Sequence, residues 1–410
     1  MRIGIFTDTY KPEINGVVTS IELFRRELER RGHTVYLFCP RYFGRNDPEP
    51  QVFRFPSKPY LFQMMTERRF AFPSLRVFRE AARLDLDIVH SQVPANVGVF
   101  GILISRFCRV AHLHTYHTLF MEYTHYMPLP RVLLRYLVRL ISRRFCGRCQ
   151  RVISPSLRIR EELREYGINA PIDVIPTGID LRDLDSVSDL DGVRRRRGIP
   201  NDKHVLSMVG RIGREKNISF LLRVMRLLKD RRSDFCFLVV GDGPDRKALQ
   251  REVVRLDLED VVVFTGYVTR DEVFALFRLT SVFTFASVTE TQGLVLLEAM
   301  SMKTPVVAVD AMGVSDLMED QRGGVTCNLE FEEFAGHVAR FLDNPELRRE
   351  TAVEARRKAE EWSIERMTDR LLASYQQGIE QFRRFGHVRY RKRPERTADV
   401  PSDDVPQGRD

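Results

Sequence analysis

Glu290 and Glu298, with seven residues between them, are the two side chains whose type and spacing most directly suggest chemistry. The run Val282-Phe283-Thr284-Phe285-Ala286 ahead of them reads as a short buried strand. Ser287 to Gln292 reads as a polar loop, and Gly293 leads into a helix-forming run from Leu294 to Met300. Glu290 then stands just before a helix N-terminus, and Glu298 lies in the second turn on the same face as Leu294. A charge inside an apolar run is costly without a partner. The amides of Gly293, Leu294 and Val295 begin the helix, where backbone N–H groups lack intrahelical acceptors and attract anions. The stretch therefore predicts a diphosphate at the helix end, with hydroxyl-bearing rings held by Glu290 and Glu298. Taken singly, Glu290 reads equally as a cap and Glu298 as a solvent-facing charge.

Other segments carry related chemistry. In Val209-Gly210-Arg211-Ile212-Gly213-Arg214-Glu215-Lys216-Asn217 a strand ends in a glycine-containing loop, where Arg211 and Lys216 suit a diphosphate or serve as solvated turn residues. His112-Leu113-His114-Thr115-Tyr116-His117 closes another strand with three histidines; a zinc site is weighed, but without a Cys or carboxylate cluster a single substrate-orienting or catalytic histidine is the better reading. Gly241-Asp242-Gly243-Pro244 imitates a dinucleotide fingerprint, yet Arg246 occupies the place of its third glycine and Pro244 suits a helix start. Cys146 and Cys149 form a lone CxxC, so no metal is predicted.

The segment 131–160 contains no acidic residue. Arg131, Arg135 and Arg139 recur every four residues, Arg143 and Arg144 follow, and Leu133, Leu134, Leu137, Leu140 and Ile141 form the other side of the helix. Such a helix fits an anionic bilayer surface; a solvated face over a core helix and a nucleic-acid patch are the alternatives. Upstream, Tyr60 to Met65 with Arg68, Arg69, Phe70 and Phe72 adds an aromatic and basic loop of interfacial character.

These residues need a scaffold that brings strand ends together. Strand signals alternate with helical patterns, which predicts doubly wound parallel sheets. The first half has strands at Arg2–Phe6, Thr34–Phe38, Ile88–His90, Val110–His114, Arg151–Ser154 and Ile172–Pro176, with a turn at Asn15–Thr19 into a helix from Ser20 to Arg31. The second has strands at His204–Val209, Cys236–Val240, Val261–Phe264, Val282–Ala286 and Pro305–Val309. A helical pattern runs from Trp362 to Phe382. The resulting division is a first α/β domain over 1–182, a second over 183–362, a helix over 363–386 and a disordered tail over 387–410.

The composition suits a chain of 410 residues with two cores: 43% hydrophobic, 30% charged. A net charge of +9 favours an anionic partner. The start, Met1 to Tyr10, reads as a strand rather than a signal peptide. The longest apolar window, Val93 to Ile104, falls short of the roughly 20 residues a spanning helix needs. Six cysteines do not suggest a disulfide framework, and a reducing cytoplasmic setting is expected.

The sequence resembles glycosyltransferase family 4 over about residues 1–385, carried by the Glu290/Glu298 pair together with VGRIGREKN, VGDGP and FTGYV in the family's order. The resemblance implies a GT-B fold, two Rossmann-like domains facing across a cleft, the first binding acceptor and the second nucleotide sugar. It also implies donor contacts from Glu290, Glu298, Arg211 and Lys216, and an N-terminal glycine loop at Asn15-Gly16-Val17 that helps admit the diphosphate and sugar, so that Gly16 joins the donor site, with one glycine where many members have two. His117 matches the family's active-site histidine, which orients the sugar through its 6-hydroxyl. Tyr116 to Tyr126 and Ile175 to Asp180 resemble bacterial diacylglycerol glucosyltransferases. The expectation is thus a retaining hexosyltransferase using a UDP-sugar as co-substrate, with no cofactor or metal. Its partners would be a lipid acceptor and an anionic membrane surface, with no nucleic acid, and it would sit peripherally on the inner face of the cell membrane. A soluble or polysaccharide acceptor is the alternative within the class, and a non-catalytic nucleic-acid module the alternative outside it.

Overall fold

The computed structural model describes residues 1–13, 15–42, 49–59, 69–94, 96–117, 131–182, 184, 189–290 and 292–390. The expected segments Tyr60–Arg68, Thr118–Tyr126 and 391–410 lie outside them, as does the side chain of Arg131.

The N-terminal half runs β1 (Arg2–Phe6), α1 (Gly16–Arg30), β2 (Thr34–Pro40), β3 (Val52–Phe55), β4 (Ser57–Pro59), β5 (Arg69–Ala71), α2 (Leu75–Arg83), β6 (Ile88–Ser91), α3 (Val97–Cys108), β7 (Ala111–Thr115), α4 (Arg131–Cys146), β8 (Arg151–Ser154), α5 (Leu157–Glu165) and β9 (Ile172–Val174). Its main sheet is ordered β3-β2-β1-β6-β7-β8-β9, parallel throughout, while β4 and β5 form a small antiparallel pair. The second half runs α6 (Leu190–Arg197), β10 (His204–Val209), α7 (Ile218–Lys229), β11 (Phe235–Val240), α8 (Arg246–Arg255), β12 (Val262–Gly266), α9 (Arg270–Leu279), β13 (Val282–Phe285), α10 (Leu294–Ser301), β14 (Val306–Val309), α11 (Gly313–Met318), β15 (Gly324–Cys327), α12 (Phe331–Asp343) and α13 (Pro345–Glu361), then α14 (Ile364–Phe385). Its sheet, β12-β11-β10-β13-β14-β15, is also parallel throughout.

Runs such as Phe235-Cys236-Phe237-Leu238-Val239-Val240 are buried along their whole length because helices cover both faces of a parallel sheet. In each sheet the strand order reverses once, between β1 and β6 and between β10 and β13, and the loops leaving those strands form the crevice in which open α/β sheets bind ligands. α14 returns to the first half: Leu371 and Tyr375 enter the core of that domain beside Leu113 and Ile153.

Several expectations are corrected. The first helix begins at Gly16, not Ser20, because the Asn15 side chain accepts from the Val18 amide at 3.0 Å and caps it there. β3, β4, β5 and β15 were not expected; they are short, and β3 and β15 are sheet-edge strands with polar residues inside them, which hides their alternation. The helix expected over Trp362–Phe382 is present but begins two residues later, at Ile364, where Ser363 caps it, and runs on to Phe385. Residues 387–390, expected within a disordered tail, pack instead. Tyr390 donates its amide to Gly147 O at 2.9 Å, and its ring joins the apolar cluster around Phe145 and Cys146.

Candidate functional site

The second domain supplies an ionic wall. After β10 the chain turns through Gly210 to Arg214–Lys216, a single 3₁₀ turn. The next loop crosses it closely: a Cβ on Gly241 would lie 2.0 Å from Gly210 O, so the Gly-Asp-Gly-Pro segment serves backbone packing here. The turn aims Lys216 at the loop after β13, where its Nζ pairs with Glu290 Oε1. The same ammonium lies 5.6 Å from the centroid of the Phe285 ring. Ser287 Oγ donates to Glu215 O at 2.8 Å and fastens the two loops together. Arg211 stands at the rim, 65% exposed, 3.2 Å from Glu215.

Gly293 adopts φ +71°, the left-handed region that favours glycine, and turns the chain sharply into α10. The amides of Gly293, Leu294 and Val295 thus begin a helix, and the macrodipole adds positive potential beside Lys216 and Glu290. In the second turn Glu298 is 26% exposed, with the Arg270 guanidinium 3.9 Å away at the start of α9. Burial pushes its carboxyl above the usual range, and Arg270 opposes the shift.

The first domain offers a differently built wall. Thr9 and Tyr42 donate to the Glu13 carboxylate, and Asn15 Nδ2 donates to Thr9 Oγ1 at 2.8 Å. This network holds the turn before α1, leaving Gly16 exposed at the helix start. Gln92 leaves β6, and its Oε1 accepts from His117 Nε2 at 2.6 Å. Burial pushes the His117 imidazole down to about 4, so it is neutral over the physiological range. A small cavity of about 20 Å³, room for about one water, lies among Gln92, His117, His90, Thr115, Thr177 and Tyr375.

His112 and His114 do not join this wall. Both are buried under the sheet, with a ring nitrogen on Ser91 Oγ at 2.8 and 2.9 Å and the Phe145 ring beside them. They are core residues, and among the described residues no group of three potential ligands is arranged to hold a metal ion.

Lys216, Glu290, the α10 amides and Glu298 therefore share the switch-point edge of the second sheet, Gly16 and His117 the corresponding edge of the first, and Arg211 the rim. The arginine helix lies elsewhere on the first domain. On α4, Arg135, Arg139, Arg143 and Arg144 are exposed, but so are Val132 at 81%, Tyr136 at 62% and Ile141 at 51%. Of the expected apolar face only Leu134 is buried; Leu133, Leu137 and Ile141 face outward. On neighbouring α3, Leu103 and Phe107 are also exposed, and Phe70 and Phe72 of the β4–β5 region stack edge-on at 5.4 Å. Among the described residues no helix is long and apolar enough to cross a membrane.

Gln92, Gln292 and Arg270 escaped sequence reasoning. Position offered a signal for two of them: each amide follows or precedes a strand end or helix start, but neutral polar residues are common in loops. Arg270 shows no sequence link to Glu298, since α9 and α10 are separated by β13.

Comparison with known proteins agrees with this architecture. A family model described as Glycosyltransferase Family 4 matches residues 14–183, and one described as Glycosyl transferases group 1 matches residues 191–358. The chain is 32% identical to the alpha-monoglucosyldiacylglycerol synthase of Streptococcus pneumoniae over 86% of its own length and 81% of that protein's. To the protein of the same description from Acholeplasma laidlawii it is 29% identical, over 85% and 89%. Among solved structures, Anabaena HepE in complex with UDP superposes with a TM-score of 0.72 at 18% identity, covering 92% of this chain and 100% of that one. That neighbour and others like it share the GT-B fold of two parallel-sheet domains.

Proposed function

Because the chain belongs to glycosyltransferase family 4, and is a glycosyltransferase, we propose that it is a retaining enzyme moving glucose from UDP-glucose to 1,2-diacylglycerol at the inner, anionic face of the cell membrane. The observation that carries the donor half is the Lys216–Glu290 pair set against the start of α10. A diphosphate seated there meets the helix amides and Lys216, with Arg211 at the rim, and shares the ammonium with Glu290. Glu290 then faces the sugar, and Glu298 the ribose hydroxyls. These fixed positive groups stabilise charge on the departing diphosphate without reorganising. The bond from the sugar's anomeric carbon to the diphosphate oxygen breaks as the bond to the acceptor oxygen forms on the same face. The acceptor's proton passes to the leaving diphosphate. His117, neutral and held by Gln92, orients the sugar from the opposite wall.

The acceptor half rests on α4, whose outward face mixes arginines with large apolar side chains. Apolar side chains favour the acyl boundary and arginines the phosphate layer, a combination that lies in a bilayer interface. The description of the two relatives as alpha-monoglucosyldiacylglycerol synthases supports the same acceptor.

The test is a screen of UDP-sugars against diacylglycerol in anionic vesicles and against soluble acceptors, with and without a chelator. Glucosyl transfer to diacylglycerol that survives chelation is the expected result. Transfer confined to a soluble acceptor would overturn the lipid reading, and loss of turnover on chelation would overturn the metal-independent mechanism.

A further inference from the structure

Gln292 lies between the two glutamate-bearing segments, in the loop after β13, yet its side chain points away from the ionic wall. It is 6% exposed. Its Oε1 accepts from the Thr177 amide at 2.8 Å, and its Nε2 donates to the carbonyl of the same residue at 2.5 Å. The amide orientation is fixed by its partner: flipping it would set oxygen against carbonyl oxygen and NH₂ against N–H. Thr177 belongs to the segment that leaves β9 for the second domain. Its hydroxyl donates to Ser20 Oγ at 2.8 Å, and Ser20 lies in α1, the helix that Gly16 begins. One buried side chain therefore links the loop of Glu290 to the helix of Gly16 through a single residue, Thr177.

A second tie runs alongside. The Glu290 carbonyl accepts from the Gly313 amide at 2.9 Å, and Asp316, in the same helix α11, accepts from the Arg158 amide at the start of α5 at 3.0 Å. Met312 packs into the cluster around Phe145 and Tyr166 of the first domain. The Glu290 loop is thus tied to the opposing domain on both sides.

We propose that Gln292 is a positioning residue: its two-way clasp on Thr177 sets where Glu290 and the α10 amides stand relative to the first domain, and so where the sugar meets the acceptor. On the donor reading above, the strongest nucleotide contacts come from the second domain: Lys216 and the helix amides meet the diphosphate and Glu298 the ribose. Loosening the clasp should therefore spare nucleotide binding and slow transfer.

This rests on the donor-site reading above, and the tests separate the two. Gln292→Leu keeps the volume and removes both hydrogen bonds. The full chain carrying it should bind UDP within about twofold of the parent by calorimetry, while kcat falls by about tenfold or more, the scale expected when reacting groups are misplaced. Gln292→Glu gives the diagnostic readout. Its carboxylate repels the Thr177 carbonyl, whereas its protonated form can donate there and accept from the amide, as the glutamine does. Burial beside a carbonyl raises such a carboxyl, so activity relative to the parent should climb as pH falls from about 8 to about 5.5. A purely structural glutamine would give a lowered melting temperature, UDP affinity and kcat falling together, and a Glu variant whose relative activity ignores pH; that pattern, or a Leu variant with unchanged kcat, overturns the proposal. Glu290→Gln leaves the clasp intact. If it keeps full transfer, the donor reading fails independently of Gln292; if it is inactive while Gln292→Leu is unaffected, only the clasp proposal fails.

Discussion

At the carboxyl ends of β10 and β13 the facing side chains are ionic: Lys216 on Glu290, Arg211 on Glu215, Arg270 near Glu298. At the corresponding ends of β1 and β6 they form a hydrogen-bonded mesh. Asp8 accepts from the Val97 amide at 2.7 Å, Glu13 accepts from Thr9 and Tyr42, Asn15 caps α1, and Gln92 holds a neutral His117, while Lys11 is turned to Glu22. The same strand order supports both walls, so the difference lies in the loops. A wall carrying fixed cations suits a ligand whose charge grows during reaction; a hydrogen-bonded wall suits one recognised by hydroxyl geometry. The exposed arginines Arg135, Arg139, Arg143 and Arg144 of the first domain stand away from these strand ends, on α4.

The sharpest way to break this contrast is to remove charge from the ionic wall. Lys216→Ala, like Glu290→Gln, should reduce transfer by about 100-fold or more, the scale of losing a preorganised electrostatic contact, with circular dichroism unchanged. A loss below about tenfold would mean that the ionic wall is not where the donor's charge is met. Next in size is the outer surface. Arg135→Glu with Arg139→Glu removes two favourable contacts of about 1 kcal/mol each with an anionic surface and adds repulsion. Sedimentation with anionic vesicles should fall by about tenfold or more, while turnover on a detergent-dispersed acceptor persists.

The hydrogen-bonded wall is tested through the pH response of His117. Because burial holds His117 near 4, it protonates only below that value, and kcat/KM should show no inflection near the ordinary histidine value of about 6.5. An inflection there that disappears in His117→Ala would mean the imidazole titrates in the working range and does not act as a neutral group. Gln92→Leu should cost less than His117→Ala, a few-fold, by releasing the ring rather than deleting it.

The smallest expected effect concerns a charge placed away from the cleft. Glu27, buried in α1, receives Arg30, Arg31 and Arg182, the last from the segment joining the domains. The Arg30 hydrogen bond, followed by that of Arg31, holds its carboxyl below the usual range against the cost of burial. A depressed carboxyl stabilises the fold above the unfolded-state value of about 4.3 and loses that contribution as pH falls toward its folded value. Glu27→Gln should cost about 2 kcal/mol in urea unfolding at neutral pH, and less in acid.

Much of the fold was legible because parallel strands buried on both faces are written as apolar runs: β1, β8 and β10 match their expected bounds, and β11, β13 and β14 shift by one residue. The edge strands β3 and β15 were not, since Arg54 and Thr326 interrupt runs of only four residues. In the site, Glu290, Glu298 and the start of α10 could be placed from spacing, because helix geometry relates near neighbours. Arg270, Gln92 and Gln292 could not, because their partners are distant in sequence and only the sheet order brings them close.

By itself the sequence determined the two alternating α/β halves, the strand-loop-helix carrying Glu290 and Glu298, and a basic helix free of acidic residues; all of these depend on local periodicity and residue type. The tertiary structure decided that Lys216 pairs with Glu290, that His112 and His114 are core while His117 reaches the cleft, and that Leu133, Leu137 and Ile141 of α4 face outward while Leu134 turns inward. Those outcomes depend on which strand ends lie side by side and which helix faces find a neighbour, and no local pattern encodes that.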